Sequence, residues 1–460
     1  MVDFPQHIFR EYDIRGLAGS DITQDFAYQL GKAYATLLPI GETRPVTLAH
    51  DARLSSPELH QAVRDGLTSM GIHVMDIGLA HSPLAYFTVF HYQTAGCIII
   101  TASHNPAEYN GFKFMRGKES LHGQEIQELK VAMQQEIAER DQQGIATPSS
   151  IQSEYEQFIA HDCPLSRPLK VVIDAGNGPT GLFAAPLYRR MGCHVTELYC
   201  QPNGHFPNHH PDPSVFENLQ DLIATVRDIK ADLGIAFDGD GDRIGIVDEK
   251  GDVIWNDLLL LILAKDLLRM HPQSTIISEV KSSNRLYEGI RVAGGVPIMW
   301  RTGHSPIKAK MKETGALLAG EMSGHIFYAD RYQGFDDAVY AGARLMQVIA
   351  DSHQPLSAQL QGIPHCEVTP EIRIACADER KFQLVAHAQQ HFSKLGYPII
   401  DVDGIRIEFP DGWGLLRASN TQAALTLRFE APTQKRLKEM QKLIIGWLQK
   451  HNPANQPTDD

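Results

Sequence analysis

Apolar and polar positions follow one repeated order along three long segments of the chain. Each segment begins with an apolar run typical of a strand, continues through a helical stretch and a glycine to a second strand, and ends with a third strand before a polar loop. The strand runs lie at 45–51, 71–75 and 98–100, then at 170–174, 192–196 and 233–237, and finally at 274–279, 295–299 and 316–319. Strands that alternate with helices are typical of α/β units, so the sequence predicts three related mixed α/β domains.

The remainder of the chain, from about His365, departs from this order. Short strand-like runs lie at 371–375, 404–409 and 423–429, and an amphipathic helix is predicted at 433–449. These patterns indicate a smaller C-terminal α+β domain. The predicted domains are therefore 1–149, 150–252, 253–364 and 365–460. Because α/β sheets bind ligands at the carboxyl ends of their strands, we expect the domains to surround one central cleft.

The candidate chemistry lies in four polar loops, three of which follow the third strand of a segment. The first loop contains Ser103, which follows a buried run and which the Asn-Pro turn is expected to present to solvent. The loops lie at 101–106, 238–243, 321–325 and 417–421. Taken alone, a Ser-His pair in a turn is weak evidence for a nucleophile, because a free serine needs a base or a metal to activate it.

The acidic loop predicts a metal site. Asp238, Asp240 and Asp242 alternate with glycines, so their carboxylates can converge on one hard cation, for which Mg²⁺ is the default. An EF-hand is disfavoured, although Glu249 falls at its twelfth position. Arg243 occupies the position that requires a glycine, and the flanking runs are strands. A solvated acidic turn without a metal is the other alternative.

Two further motifs suggest other classes of protein. A glycine-rich turn at 176–181, followed by Glu197, satisfies the dinucleotide fingerprint of an NAD-dependent enzyme. That interpretation leaves the acidic loop and Ser103 unexplained. Histidines 205, 209 and 210 suggest zinc, but the prolines around them favour a stiff structural or interdomain loop.

Composition limits the partners. The formal net charge of −13 argues against nucleic acid, and an anionic substrate would need a local cluster of cations. Candidates for that cluster are Arg15, Lys113, Lys281 and Arg417. No apolar run approaches the length of about 18 residues of a membrane span. The start of the chain does not resemble a signal peptide, and the six cysteines lack CxxC spacing, so we expect a cytoplasmic protein with reduced thiols and no membrane partner.

The four loops, in this order, resemble those of the α-D-phosphohexomutase family, and most closely its bacterial phosphomannomutase/phosphoglucomutase branch. The resemblance extends to Phe-Arg-Glu-Tyr-Asp-Ile-Arg-Gly at 9–16 and to Trp-Arg-Thr-Gly-His-Ser at 300–305. Arg301 occupies a position where relatives often carry lysine, a difference that keeps the positive charge.

The resemblance implies roles for individual residues. Ser103 is expected to carry a phosphoryl group and, with Asp238, Asp240 and Asp242, to complete a Mg²⁺ site. His104, Lys113 and His325 are the expected proton carriers. Arg243 is expected to pair with the acidic loop or the phosphoryl group, with a purely structural salt bridge as the alternative. The residues expected to bind substrate are Tyr12, Arg15, Arg243, Lys281, His304, Glu321, Ser323, Arg417, Ser419, Asn420 and Thr421.

Within that set, two groups have a chemical rationale of their own. Glu321 can accept hydrogen bonds from two adjacent sugar hydroxyls. Arg417 with Ser419, Asn420 and Thr421 suits an anion cradle for the phosphate that is not transferred, although a polar hairpin turn is the structural alternative.

The resemblance implies a phosphohexomutase that interconverts the 6- and 1-phosphates of mannose and glucose through a phosphoserine and a hexose 1,6-bisphosphate intermediate. The expected partners are sugar phosphates, and the expected assembly is a monomer or weak dimer. The alternatives are phosphoglucomutase proper, phosphoglucosamine mutase and a non-catalytic sugar-phosphate-binding protein of the same fold. Phosphoglucosamine mutases usually carry serine at the position of Thr101 and glutamine at that of Met322, so the chain differs from them there.

Overall fold

The computed structural model of the protein describes residues 4–419 and 423–452. Over these residues the chain forms four β-sheets, each with its own helices. Predicted site residues Asn420 and Thr421 lie outside the described residues. Within the described part of the chain, no helix combines the length and apolar character that crossing a membrane requires.

The first domain is built on a mixed sheet. Its strands are β1 (Ile14–Leu17), β2 (Val46–His50), β3 (Val74–Leu79), β4 (Gly96–Ile100), β5 (Tyr109–Arg116), β6 (Glu119–Ser120) and β7 (Ala146–Pro148). Its helices are α1 (Gln24–Leu37), α2 (Ser56–Ser69), α3 (Ser82–Tyr92) and α4 (Gln124–Met133). The strand order is β1-β5-β4-β2-β3-β7, with β6 paired to β5.

The second domain has a sheet of the order β12-β11-β10-β8-β9. Its strands are β8 (Lys170–Asp174), β9 (His194–Leu198), β10 (Leu233–Phe237), β11 (Ile244–Asp248) and β12 (Val253–Ile254). Its helices are α5 (Gln152–Asp162), α6 (Gly181–Arg190) and α7 (Gln220–Ile229).

The third domain has a sheet of the order β14-β13-β15-β16. Its strands are β13 (Thr275–Glu279), β14 (Val296–Trp300), β15 (Leu318–Gly320) and β16 (Ile326–Tyr328). Its helices are α8 (Asn256–Met270), α9 (Asn284–Val292), α10 (His304–Thr314) and α11 (Ala338–Ser352). The side chain of Asp337 accepts a hydrogen bond from the Tyr340 amide and so caps the start of α11.

The fourth domain is an antiparallel sheet of the order β17-β22-β21-β20-β19, with β18 paired to β22 and two helices packed against it. Its strands are β17 (Glu367–Val368), β18 (Ile372–Ala375), β19 (Ile399–Ile400), β20 (Ile405–Phe409), β21 (Gly412–Ala418) and β22 (Ala424–Ala431). Its helices are α12 (Asp378–Lys394) and α13 (Gln434–His451).

The first three sheets share one arrangement. In each, the first strand of the predicted repeat lies between the second and the third, which run parallel to it, and the third then pairs with an antiparallel strand. The corresponding orders are β3-β2-β4-β5, β9-β8-β10-β11 and β14-β13-β15-β16. The loops that contain Ser103, Asp238 and Glu321 each connect the third strand to the antiparallel one. The prediction of three related α/β domains with one polar loop each is thus confirmed.

Helix α12 and strands β17, β19 and β21 of the fourth domain lie outside the runs predicted from the sequence. Helix α12 buries only a narrow stripe that includes Leu384, Ala388 and Phe392, and most of its remaining residues are polar. Strand β21 contains Gly412 and Gly414, which are poor strand formers. The predicted α+β character is nevertheless confirmed by the sheet and its two helices.

Buried apolar side chains connect the first three domains to one another more extensively than they connect the fourth domain to the third. One continuous cluster of buried apolar side chains extends from Leu84 on α3 through Phe183 on α6 to Leu260 on α8. It therefore joins the first three domains. The fourth domain has a separate core, and a small cluster that includes Val280 and Trp413 connects it to the third domain.

Candidate active site

Ser103 lies at the turn after β4 with a left-handed backbone, at φ +51°. This conformation is uncommon for a residue other than glycine, and the hydroxyl of Thr101 supports it by accepting from the Ser103 amide at 2.9 Å. The Ser103 hydroxyl donates to Asp238 Oδ2 at 2.6 Å and lies 3.0 Å from Nδ1 of His104. The serine is thus aimed at the acidic loop.

The expectation that Ser103 is presented to solvent is wrong, because only 1% of its surface is exposed. The acidic loop of the second domain packs directly over it. A Cβ atom added at Gly239 would lie 2.3 Å from the Ser103 carbonyl oxygen, so only glycine permits this approach. The nucleophile candidate is therefore buried at an interdomain contact.

The carboxylates of Asp238, Asp240 and Asp242 are fully buried and converge. One oxygen from each of the three lies within 4.8 Å of the others. Asp238 Oδ1 accepts from the amides of Gly241 and Arg243 at 2.9 and 3.1 Å, which holds the loop in shape. Lys113, on β5 of the first domain, contacts Asp240 Oδ2 at 2.6 Å and also Asp242.

The three buried carboxylates influence one another and are paired with nearby cations. Burial, together with Asp242 and Asp240, raises the pKa of Asp238 well above its usual range. Burial also opposes the charge of Asp242, but Lys113 and His325 hold its pKa well below the usual range. Asp240 and Asp242, which pair with Lys113, outweigh its burial and raise its pKa.

The donor set fits a divalent cation. Oδ1 of Asp240 is buried and has no hydrogen-bond partner among the described residues, and Oδ1 of Asp242, also buried, lies 3.3 Å from Nε2 of His325. Carboxylate oxygens are the ligands that hard cations such as Mg²⁺ prefer. The structure therefore contains a candidate metal site next to the Ser103 hydroxyl.

The loop after β15 brings Glu321, Ser323 and His325 to the same place. Nδ1 of His325 lies 2.9 Å from Glu321 Oε2 and 3.1 Å from Ser323 Oγ, and its Nε2 lies 3.3 Å from Asp242 Oδ1. Burial opposes a charge on His325, but Asp242 and Glu321 raise its pKa to about 9. The sugar-binding loop predicted from the sequence thus contacts the acidic loop through one histidine.

Arg243 lies between two of the candidate proton carriers. Its guanidinium is 3.3 Å from Nε2 of His325 and 3.5 Å from Nε2 of His104. Burial, followed by the positive charges of Arg243 and Arg15, lowers the pKa of His104 well below its usual range. Asp238 and Asp242 outweigh the burial of Arg243 and raise its pKa, so the guanidinium lies between the acidic loop and the site histidines.

Side chains of the N-terminal segment also contact residues of the site. Arg15 donates to Asn105 in the Ser103 loop at 2.8 Å and to Asp13 at 2.7 Å. The ring of Tyr12 lies 5.6 Å from that of His304, whose ring is in turn 5.6 Å from that of His325. Burial lowers the pKa of His304 well below its usual range.

Lys281 and Arg417, the two remaining predicted cations, both pair with carboxylates. Lys281 lies 3.5 Å from Glu279 and 3.3 Å from Glu371 of the fourth domain. Arg417, on β21, pairs with Asp403 at 3.1 Å, and Asp403 also accepts from the backbone amide of Thr302 at 3.0 Å. Ser419 is buried at the end of β21, where its amide donates to Ala424.

The structure adds residues that the sequence patterns miss. Asp336 forms a second potential metal-binding group with Asp242 and His325, and it lies 3.6 Å from Nδ1 of His304. Arg53 donates to several carbonyl groups of the Ser103 loop. The only sequence signals were an Asp-Asp pair before a helix and an Asp-Ala-Arg run after a strand, and both patterns are common.

Comparison with known proteins gives matches along nearly the whole chain. Models of the phosphoglucomutase/phosphomannomutase alpha/beta/alpha domains I, II and III match residues 6–140, 153–251 and 255–366, and the model of the C-terminal domain matches 371–446. The phosphoglucomutase of Neisseria meningitidis serogroup A is 44% identical over 445 residues, which cover 96% of each chain. The phosphomannomutase/phosphoglucomutase of Pseudomonas aeruginosa is 42% identical over 448 residues, again 96% of each chain.

A crystal structure gives the same result for the fold. A phosphoglucomutase/phosphomannomutase family protein from Burkholderia thailandensis, 39% identical, superimposes with a TM-score of 0.91 over 99% of both chains. The matches reach all four domains and every described loop of the site. The chain therefore belongs to the phosphoglucomutase/phosphomannomutase family.

Proposed function

We propose that the protein is a phosphohexomutase that interconverts mannose 6-phosphate with mannose 1-phosphate and glucose 6-phosphate with glucose 1-phosphate. The relatives named phosphomannomutase/phosphoglucomutase support both sugars. In this proposal, Ser103 is phosphorylated and a hexose 1,6-bisphosphate is the intermediate.

The observation that carries the proposal is the meeting of three loops from three domains. Ser103 Oγ is 2.6 Å from Asp238. Asp242 is 3.3 Å from His325, and His325 is 2.9 Å from Glu321. The proposed phosphoryl carrier, the candidate metal site and the loop expected to bind the sugar are thus neighbours, and this supports the proposal because phosphoryl transfer requires such groups to be held close together.

The first half-reaction transfers the phosphoryl group from Ser103 to the free hydroxyl of a hexose phosphate. The bond between phosphorus and the sugar oxygen forms as the bond between phosphorus and Ser103 Oγ breaks. We assign the hydroxyl proton to His325, because this ring contacts both the sugar-binding loop and the acidic loop. The departing Ser103 oxygen takes a proton from His104, whose Nδ1 is 3.0 Å away. The step ends with His325 protonated and His104 neutral, which are the states that the unphosphorylated site favours, since the pKa of His325 is raised to about 9 and that of His104 is lowered.

The second half-reaction reverses these steps at the other end of the sugar. The Ser103 hydroxyl attacks the second phosphate of the bisphosphate, its proton passes to His104, and the sugar oxygen recovers a proton from His325. Between the two halves the bisphosphate turns around in the cleft. The phosphate that is not transferred is held in both orientations by Arg417 with Ser419, Asn420 and Thr421, and by Lys281.

Recognition of the sugar is assigned to the third domain. Glu321 accepts hydrogen bonds from hydroxyls that glucose and mannose share, and Ser323 donates to such hydroxyls or accepts from them. The rings of Tyr12 and His304 pack against each other next to His325 of the same loop. Arg15, Lys113 and Arg243 provide positive charge around the transferring phosphoryl group. Mg²⁺, held by Asp238, Asp240, Asp242 and the phosphorylated Ser103, would offset the charge that develops on that group.

We further propose that the domains run 1–149, 150–254, 255–364 and 365–460. The second boundary differs by two residues from the one predicted from the sequence. The reason is that β12 (Val253–Ile254) pairs with β11 in the second sheet.

The experiment that tests the function is a phosphorus NMR time course. Protein, Mg²⁺ and a trace of glucose 1,6-bisphosphate are mixed with mannose 1-phosphate or glucose 1-phosphate in separate samples. We expect both signals to move to the 6-phosphate position. Ser103→Ala should reduce turnover about 10⁴-fold or more, as expected when a nucleophile is removed. Ser69→Ala, which removes a buried hydroxyl bonded to Gly66 in α2, is the matched control and should remain active.

The possible outcomes separate the alternatives. Conversion of glucose 1-phosphate alone would indicate phosphoglucomutase proper, and conversion of glucosamine 1-phosphate in a third sample would indicate phosphoglucosamine mutase. Binding of the sugar phosphates without conversion would indicate a non-catalytic protein. Near-normal turnover by Ser103→Ala would contradict the assignment of the nucleophile.

A further inference from the structure

Helix α3 of the first domain begins at the acidic loop of the second domain. Its first residue, Ser82, contacts Asp240 twice: the backbone amide donates to the Asp240 carbonyl at 2.8 Å, and the hydroxyl donates to Asp240 Oδ2. Both residues are fully buried. A residue of the domain that carries Ser103 therefore holds a carboxylate of the candidate metal site.

The two oxygens of the Asp240 carboxylate have different neighbours. Oδ2 accepts from the Ser82 hydroxyl and from Lys113 at 2.6 Å. Oδ1 is buried and has no hydrogen-bond partner among the described residues. A partial rotation of the carboxylate would break both bonds to Oδ2, so Ser82 and Lys113 together fix the orientation in which the other oxygen is free to bind a cation.

The helix provides a rigid support for this contact. Residues 82–89 of α3 are buried, and the helix packs against β2, β4 and α5. Pro83, in the first turn, fixes the backbone at the helix start and needs no hydrogen-bond acceptor there. The loop fits closely against this start, since a Cβ atom at Gly241 would lie 3.1 Å from Cβ of His81.

We propose that Ser82 is a positioning residue for metal binding, which orients Asp240 and couples the Ser103 domain to the metal loop. The inference rests on the proposed function, because that function supplies the metal. Groups that hold metal ligands by hydrogen bonds typically change affinity by about 10- to 100-fold when they are removed.

The test measures metal binding directly in the full-length protein. Mn²⁺ serves as the probe, its free concentration is followed by electron paramagnetic resonance, and Mg²⁺ is added as the competitor. We expect Ser82→Ala to weaken Mn²⁺ binding about 10- to 100-fold. Ser82→Thr, which keeps the hydroxyl, should restore most of the affinity. Thr88→Ala removes a buried hydroxyl of the same helix that donates to Leu84 O within the helix, and it should bind Mn²⁺ as the wild type does.

A kinetic readout separates positioning from a general loss of structure. With Ser82→Ala, the Mg²⁺ concentration for half-maximal turnover should rise by the same factor, whereas kcat at saturating Mg²⁺ should return to within about threefold of the wild-type value. If Ser82→Ala does not fold, Ser82→Cys replaces it, because the thiol keeps the volume but is a weak donor. It should also weaken Mn²⁺ binding.

The inference and the proposed function fail in different ways. Unchanged Mn²⁺ affinity in a folded Ser82→Ala or Ser82→Cys variant overturns the role of Ser82 and leaves the mutase activity intact. A similar loss of affinity in Ser82→Thr and Thr88→Ala also overturns it, because the effect would then not depend on the hydroxyl. A wild-type protein that neither binds Mn²⁺ nor turns over sugar phosphates refutes the proposed function itself.

Discussion

Two adjacent buried aspartates, Asp336 and Asp337, have opposite kinds of neighbours. Asp336 lies 3.2 Å from Lys308 and 3.6 Å from His304 at the edge of the site. Asp337 instead accepts hydrogen bonds from neutral donors, the hydroxyls of two tyrosines and the amide of Tyr340. Burial without a cation raises the pKa of Asp337 to about 6. Adjacent positions in the sequence therefore hold one carboxylate at the edge of the site and one that stabilises the fold.

The raised pKa of Asp337 predicts a pH-dependent stability. An unfolded aspartate has a pKa of about 3.9, so between about pH 4 and pH 6 the folded state binds a proton that the unfolded state has lost. The proton favours folding, and its contribution disappears as the pH rises through about 6. Ionisation should cost the folded protein on the order of 3 kcal/mol at neutral pH.

Asp337→Asn isolates this effect, because asparagine also caps helices but does not ionise. We expect the free energy of unfolding of the wild type, relative to that of the variant, to fall as the pH is raised from 4.5 to 7.5. Urea unfolding at the two pH values measures the difference. A constant difference across this range would show that the pKa of Asp337 is not raised.

One buried arginine, Arg53, holds the loop that contains Ser103 in place. Arg53 follows β2, is 1% exposed, and pairs with Asp51 at 3.1 Å. Its terminal nitrogens donate to the carbonyl groups of Ser103 and Asn105 at 2.7 and 2.6 Å, and to those of Pro106 and Tyr109. The five N–H groups of a guanidinium are thus all engaged, and most of them fix the backbone around the left-handed Ser103.

Arg53→Lys should therefore misplace the nucleophile while retaining the charge. Lysine cannot reach both ends of the loop at once, since it has no planar fork. Because a displacement of about 1 Å costs roughly 10²-fold in rate, we expect phosphorylation of Ser103 by glucose 1,6-bisphosphate to slow by about that factor. Rapid quenching followed by mass spectrometry measures the phosphoserine formed.

The matched control is Arg344→Lys. Arg344 is also buried and paired, to Asp330 at 2.9 Å, but it lies in α11 away from the Ser103 loop. This variant should lose stability and keep its rate of phosphorylation at a temperature where it is folded. Equal slowing in both variants would mean that Arg53 acts only on overall stability.

How far the sequence predicts the structure differs between the strands and the residues that support the loops. The positions of the strands follow from repeated apolar runs, because burial on both faces of a parallel sheet leaves a strong local pattern. Asp238 directly follows such a run and Glu321 follows one after a single glycine, so both could be named as candidate site residues, and the family resemblance supplied the role expected of Glu321. The role of Arg53 depends on carbonyl groups 50 or more residues away, and that of Ser82 on a loop 158 residues away. No local pattern records these contacts.

Burial of Ser103 could not be predicted for the same reason. The turn at Asn105 and Pro106 indicates a loop, and loops are usually exposed. What covers this loop is Gly239, from another domain, whose lack of a side chain allows close approach. The low exposure of Ser103 therefore results from a contact with another domain, which the local sequence does not indicate.

The fourth domain shares less apolar core with its neighbour than the first three domains share with one another. It has its own core, and few apolar side chains, chiefly Val280, Trp413 and Leu415, join it to the third domain. Much of the remaining contact is polar. Arg406 on β20 is fully buried, donates to the carbonyls of Val280 and Ser282 at 2.6 and 2.7 Å, and stacks 3.8 Å from the ring of Trp413.

Lys281 of the third domain and Arg417 of the fourth are each paired with a carboxylate of the fourth domain. Glu371 contacts Lys281 at 3.3 Å, and Asp403 links Arg417 to the amide of Thr302. Burial opposes the charge of Glu371, but Lys281 and Arg373 lower its pKa to about 2. In the proposed function a substrate phosphate is held by Lys281 of the third domain and Arg417 of the fourth. Its binding then depends on docking of the two domains, so we expect docking and substrate affinity to be coupled.

Arg406→Lys tests this coupling. Lysine retains a charge but cannot bond to both carbonyl groups and stack on Trp413 at once, so docking of the fourth domain should weaken by about 1–3 kcal/mol. Because an undocked domain must be brought back before substrate is held, we expect KM for glucose 1-phosphate to rise about tenfold with kcat nearly unchanged. Amide hydrogen exchange at 280–284 should accelerate, while exchange in the core of β21 and β22 should not.

Arg436→Lys provides the comparison within the same domain. Arg436 pairs with Asp411 and Glu439 at the surface, on the fourth domain alone, so its replacement should leave both KM and exchange at 280–284 unchanged. A lower kcat for Arg406→Lys with an unchanged KM would place Arg406 in the transfer step and contradict the coupling. If exchange at 280–284 rises while KM stays the same, the domain opens without affecting substrate, and the paired cations Lys281 and Arg417 do not contribute to affinity.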